Sequence, residues 1–263
     1  MSENFKKIEF FTVMLLPIAV IVGNFATNLI ISLIIIFFII NFFKSNLALN
    51  DYLSKIVLII LIILILNLFF SVDRILSLKG IIGLVKNFLL FVSLTYFFKK
   101  NPNNFRKFIV VTFYLILFVT FDTLIQYLTG EDIFGFELQK SHGGRLSGPF
   151  GSEYVVGAFL SKLLFISIFY FEDGFGENKN FLILPYIIFI FSIVFLTKER
   201  AAFYLTAITL IFFVLFKYKS SKIKLISFFL IGLIPFVLFI NYNEGTNTTG
   251  LNKNDINNFS KHI

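Results

Sequence analysis

Long apolar runs separated by short polar links dominate the chain. Roughly nine runs are candidates to cross a bilayer, near Phe10–Val22, Ala26–Phe43, Ser54–Phe70, Ile81–Phe98, Phe108–Leu128, Glu153–Phe171, Phe181–Leu196, Ala201–Phe216 and Leu225–Ile240. A span needs about 17–25 helical residues, fewer where it is short or buried. The pattern therefore predicts an all-α, polytopic transmembrane helical bundle over residues 1–240. The first run is short and could form a tight hairpin with the second, broken at Gly23-Asn24. It lacks the small-residue cleavage site of a signal peptide. From Asn241 to Ile263 the chain turns rich in Asn, Thr and Gly without an apolar period, and reads as the start of a larger polar outer loop.

The polar links orient the bundle. With the N-terminus cytoplasmic, thirteen Lys and Arg fall on the inner side, including the clusters at 99–107 and 217–224, and eight on the outer side. That asymmetry follows the positive-inside rule. Tyr52, Tyr96, Tyr127, Tyr154, Tyr170, Tyr204, Tyr218 and Tyr242 fall at span ends, where amphipathic rings prefer the headgroup level. In this orientation the links at 71–79, 129–152 and 197–200 face outward.

Composition removes several classes. Hydrophobic residues make up 57% of the 263 and charged residues 14%, against about a quarter in soluble domains. With no Cys there is neither a disulfide framework nor a thiolate metal site, and two His argue against structural zinc. The net charge of +8 comes from clusters between apolar runs, a topological pattern and not a nucleic-acid footprint.

Candidate chemistry concentrates between Asp122 and Lys162. Arg145, in RLSGPFG, offers a planar, permanently charged fork suited to phosphate, with Gly148 and Gly151 allowing backbone N–H groups to approach. Glu153 is expected to open the next helix, a favourable place for an acid. His142 could serve as a general base, although a solvated His in a Gly-rich loop is the simpler reading. In LTKERAAF, Lys198 and Arg200 stand on the outer side against the topological bias, which suggests an anionic group there; Glu199 is a partner, a base or local charge balance. Asp122 and Lys162 lie within consecutive spans and could form a buried ion pair, or Lys162 could snorkel. Lys79, Gly83, Lys86 and Ser93 share one helical face by 3.6-residue spacing; that stripe could line a headgroup site, though packing is the simpler use.

The outward segment QYLTGEDIFG…RLSGPFGSEYVVGAFL and the later turn LTKERAAF, set among multiple spans, resemble the O-antigen polymerase and O-antigen ligase superfamily of bacterial inner-membrane enzymes. Members typically carry a small residue and then Arg followed by small residues at the later turn. Arg200 with Ala201 and Ala202 matches, while Lys198 and Glu199 depart from the commoner small residues. The resemblance implies glycosyl transfer at the periplasmic face from an undecaprenyl-pyrophosphate-linked glycan, with no metal or cofactor, and polymerase slightly over ligase. Arg145 and Arg200 would be the catalytic pyrophosphate clamps. Read from the residues themselves, Lys79, Lys86, His142, Glu153 and Glu199 are further candidates to contact substrate. The bilayer and a polysaccharide chain-length regulator would be partners, and nucleic acid would not. The family's large periplasmic loop, with its further Arg and a proposed base His, would begin where this chain ends, and neither His142 nor His262 is matched to that His. Two other readings stay open: a flippase for a lipid-linked glycan, using Asp122, Lys86 and Lys162 along a wet path, and a truncated, non-catalytic membrane protein.

Overall fold

In lipid every backbone N–H and C=O must be satisfied within the protein, which makes helices the solution for apolar runs of this length. The computed structural model describes residues 3–44, 52–138, 144–174, 179–217 and Gly232, and is all-helical, with no strand among the described residues. Among the described residues eight α-helices follow in order: α1 Glu3–Val22, α2 Asn24–Lys44, α3 Tyr52–Asn67, α4 Arg74–Lys100, α5 Pro102–Thr129, α6 Val156–Gly174, α7 Lys179–Leu196 and α8 Arg200–Lys217. Short 3-10 turns occupy Leu68–Phe70 and Gly148–Phe150. Apart from Gly232, the ninth expected run, Leu225–Ile240, and the tail from 241 lie outside the described residues.

Among the described residues four helical segments are long and apolar enough to cross a membrane: Asn24–Asn41, Arg74–Lys100, Pro102–Thr129 and Arg200–Lys217. Several apolar helices mark a membrane protein. The expectation of nine spans is thus met in part, by these four on length and composition. The apolar stretches Leu58–Phe70, Val156–Phe171 and Leu182–Leu196 are shorter. At 1.5 Å per residue, about 15 residues reach roughly 22 Å, less than the ~30 Å of a hydrocarbon core. In α1 the first turns carry Glu3, Lys6, Lys7 and Glu9, which leaves a shorter apolar remainder.

The chain divides into two compact units, Met1–Leu115 and Ile116–Ile263. In the first, α1 and α2 form the expected hairpin, reversing at Gly23 with φ 128°, a conformation suited to glycine. Thr27 Oγ1 lies 3.0 Å from the Ala19 carbonyl and 2.9 Å from that of Gly23, and its one proton is shared between these acceptors at the reversal. Farther along, Phe5 meets Phe37 edge-on at 5.1 Å, and Asn41 Nδ2 donates to Glu9 Oε1 at 2.9 Å. Here α4 begins seven residues before the expected run, because Asp73 caps it by accepting the Leu76 N–H at 3.0 Å. Lys79 therefore sits inside a helix and not in an outward 71–79 loop. On the expected stripe, Ser93 is buried and donates to the Leu89 carbonyl, Lys86 is half-buried and donates to Asn28 Oδ1 at 2.6 Å, and Lys79 is exposed.

In the second unit, α6, α7 and α8 pack through Leu160, Leu164, Ile183, Ile187, Ile190, Phe191, Val194 and Leu210, all fully buried. Tyr186 donates its hydroxyl to Ser167 Oγ (2.7 Å), joining α7 to α6. The Phe191 and Phe203 rings stack at 5.2 Å between α7 and α8. Lipid tails are as apolar as these side chains, so close packing and the Tyr–Ser bond hold the helices together more than expulsion of water does. Large apolar side chains such as Phe169, Tyr204, Leu205, Ile208 and Phe212 remain exposed, as a lipid-facing surface requires.

Candidate functional site

The second unit gathers its polar side chains where helices give way to irregular backbone. α5 ends at Thr129, and α6 starts only at Val156. The chain between them brings many peptide groups that need partners, and besides its own backbone bonds three side chains supply several of them. Gln126, fully buried, accepts from the N–H groups of Ser147 (3.0 Å) and Gly148 (2.8 Å) through Oε1. Its Nε2 donates to the Phe136 carbonyl (3.1 Å) and Ser147 Oγ (3.2 Å). One amide therefore pins both arms of the loop. Asp132 organises the first arm, accepting from Phe134 N (3.0 Å) and Phe136 N (2.6 Å) through one oxygen. Asp122 accepts from Ile133 N at 2.9 Å, and its second oxygen is buried without a hydrogen-bond partner.

Gly148 is required by geometry. Its φ is 48°, and a Cβ would lie 2.6 Å from Thr123 Oγ1. Gly151, φ 65°, then turns the chain into the approach to α6. These turns delay the helix by three residues relative to the expected start. Glu153 consequently does not open α6; it is exposed in the preceding turn, its N–H on the Phe150 carbonyl.

The carboxylate at the start of α6 comes instead from Glu199, buried in the α7–α8 turn. Its Oε1 accepts from Gly157 N (2.6 Å) and its Oε2 from Ala158 N (3.1 Å). Two N–H groups of the first helical turn are thereby satisfied where the helix dipole favours negative charge. Burial pushes the Glu199 carboxyl above its ordinary value, against the opposing pull of the two N–H groups and of the Arg145 and Lys162 cations. The approach depends on Gly157, where a Cβ would lie 2.7 Å from Thr197 Oγ1 and 3.1 Å from Glu199 Cδ. Lys198 takes φ 61°, the only positive φ at a non-glycine residue among the described residues. That left-handed residue makes the turn from α7 into α8 tight, and its Nζ lies beside Gly144.

Beside this turn opens a cavity of about 600 Å³, lined by Tyr127, Leu138, Gly144, Leu146, Phe195, Leu196, Lys198, Glu199, Arg200, Phe203 and Tyr204. Its walls are mainly apolar, with Lys198, Glu199 and Arg200 supplying charge. Arg200, the first residue of α8, is exposed. Arg145 is half-buried; its neighbours Gly144 and Leu146 line the cavity, while its guanidinium lies 5.4 Å from the Tyr154 ring centroid. Arg145 Nε is buried without a hydrogen-bond partner. The two expected clamps thus flank the Glu199 turn differently, one at the cavity lining and one stacked beside it.

Other expectations fare unevenly. His142 lies outside the described residues. Lys79 and Lys86 belong to α4 of the first unit. Asp122 and Lys162 make no ion pair: Lys162 is exposed, and the free oxygen of Asp122 has no partner. Among the described residues no three His, Cys, Asp or Glu cluster as metal ligands. Sequence reasoning missed Gln126, Asp132, Thr197 and Gly157. A glutamine inside an apolar run and the turn pattern Asp132-x-x-Gly135 were the available signals for the first two.

No family model, curated protein or solved structure matches this chain.

Proposed function

We propose that this protein is a bacterial inner-membrane enzyme that polymerises or ligates undecaprenyl-pyrophosphate-linked oligosaccharides at the periplasmic face, with polymerisation favoured. The observation that carries the reading is the cavity beside the α7–α8 turn. Its apolar walls suit a polyprenyl chain, and Lys198, Arg200 and the adjacent Arg145 suit a pyrophosphate. With the N-terminus cytoplasmic, the cavity opens on the outer side, where lipid-linked glycans are assembled into surface polysaccharide.

In this reading an acceptor hydroxyl attacks the anomeric carbon of the donor. The bond from that carbon to the pyrophosphate oxygen breaks, and its electrons leave with the pyrophosphate. Negative charge grows on the leaving group in the transition state, so cations fixed around it lower the barrier. Arg200 and Lys198 meet the pyrophosphate from the turn, and Arg145 does so from the loop. Glu199 holds the turn against α6 and keeps these cations near one another. The hydroxyl proton passes to water at the open side of the cavity.

The test is polysaccharide chain length in cells that lack the chromosomal gene and carry it on a plasmid. Arg145→Ala and Arg200→Ala should each abolish extension beyond one repeat while the protein accumulates in the membrane at wild-type level. Normal ladders from both variants would overturn the assignment.

A further inference from the structure

A second polar region lies in the first unit, and the proposed glycosyl transfer makes no use of it. α4 and α5, of 27 and 28 residues, are both membrane-length and are joined through Asn101 alone. A one-residue link between two spanning helices has to lie at a membrane surface. Lys99 and Lys100 close α4, and the first turn of α5 carries no acid. Cations at a helix C-terminus offset its dipole, which explains those two lysines. It does not explain Lys6 and Lys7 from α1, or Lys107 from α5, converging on the same link.

Two cavities open there, of about 200 and 210 Å³, and they share Lys6, Asn101 and Asn104. Glu9, Phe97 and Lys100 complete one; Glu3, Lys7, Phe10 and Lys107 complete the other. Four lysines thus face two glutamates, and both acids are engaged. Glu9 accepts from Asn41 Nδ2 at 2.9 Å and lies within electrostatic reach of Lys100, while Glu3 pairs with Lys7 at 2.9 Å. Lys107 Nζ lies 5.2 Å from the Phe10 ring centroid and Lys100 Nζ 5.5 Å from that of Tyr96, so their stems cross apolar surface and their charges sit at its edge. The result is a positively charged recess with amide donors and aromatic walls at headgroup depth.

We infer that the recess formed by α1 and the α4–α5 link is a binding site for the phosphodiester headgroup of an anionic phospholipid. Lys6, Lys100 and Lys107 meet the phosphate. The Asn101 and Asn104 amides donate to headgroup oxygens, and Phe10 and Phe97 border the glycerol and upper acyl chains. Basic pockets at the ends of transmembrane helices recognise anionic lipid in this way, each lysine near the surface adding to the attraction.

The experiment is a titration of the purified, delipidated full chain in detergent, read by native mass spectrometry. Phosphatidylglycerol and phosphatidylcholine of identical acyl chains are the probes. The wild type should retain phosphatidylglycerol about tenfold more strongly than phosphatidylcholine, and Lys6→Gln/Lys100→Gln/Lys107→Gln should erase that preference. The charge-preserving Lys6→Arg/Lys100→Arg/Lys107→Arg should keep most of it. Equal retention of the two lipids by the wild type, or an undiminished preference in a folded Gln variant, would overturn the assignment. Full competition by inorganic phosphate would also overturn it, since the ligand would then be a free anion. If the triple Gln variant does not fold, Lys100→Gln alone should lose part of the preference, and no loss there contradicts the proposal.

Discussion

The two units use polar residues in opposite ways. In the first, polar side chains buried among the described residues bond within or between helices: Thr12 bonds the carbonyl one turn back, and Asn41 reaches Glu9. In the second, Gln126, Asp132 and Glu199 each satisfy at least two backbone N–H groups that belong to no helix ladder or to the open first turn of one. The difference follows from the backbone. Where the chain passes from helix to helix through a single residue, as at Gly23 and Asn101, few backbone groups fall outside a helix. Where it travels from Thr129 to Val156 without a long helix, side chains must take over. The described part of that stretch is buried over 146–150 and lines the cavity at Leu138, Gly144 and Leu146. Polar networks in the second unit therefore support a cavity, whereas those in the first fasten helices.

That contrast breaks most sharply at Gln126. Gln126→Leu keeps the volume but strands two N–H groups and a carbonyl, each costing about 1–3 kcal/mol when buried. A steep fall in thermal unfolding temperature is expected, larger than for the glycine and glutamate substitutions below, with loss of ligand binding at the cavity. The matching change in the first unit, Lys86→Met, removes one half-exposed bond to Asn28 and should shift the midpoint little. Equal effects would erase the distinction.

Glycines sharpen it further. Gly157→Ala drives a Cβ against Thr197 and Glu199 and should cost about 1–3 kcal/mol, in the range of overpacking. Gly83→Ala, on α4 with nothing within 4 Å of the added carbon, should be neutral or stabilise by up to about 1 kcal/mol through helix propensity. Thermal melts of both variants in the same detergent check the pair.

A smaller effect concerns pH. The folded protein holds the Glu199 carboxyl above its ordinary value of 4.5, so it keeps a proton over a range where the unfolded chain has lost it. The unfolded state then binds fewer protons, and stability falls as pH rises from 4.5 through the raised folded value, levelling off above it. The melting temperature of wild type relative to Glu199→Gln should decline over that window. A relative rise would reverse the burial argument.

Much of the bundle is legible in the apolar runs, because Phe, Ile and Leu runs leave a helix as the only self-satisfied backbone in lipid. The hairpin at Gly23 is legible for the same local reason: a glycine interrupts a continuous run. Helix starts are not. The α4 start depends on Asp73, a cap ahead of the apolar run, and the α6 start depends on Gly148 and Gly151 turning the chain first. The cationic turn around Arg200 stands out in sequence because its charges oppose the topological bias. The role of Glu199 does not, since its partners Gly157 and Ala158 lie some forty residues earlier and nothing local announces the contact. Gln126 is hidden likewise, as a single amide whose partners are all ten or more residues away along the chain.

The most direct test of the cavity as a pyrophosphate site is binding of undecaprenyl pyrophosphate, against undecaprenol as the uncharged control, to the purified protein in nanodiscs. Wild type should prefer the pyrophosphate, and Arg145→Ala and Arg200→Ala should each weaken it about tenfold, the scale of one lost charge-assisted hydrogen bond. Equal binding of the two lipids by wild type, or undiminished affinity in both arginine variants, would contradict that reading of the cavity.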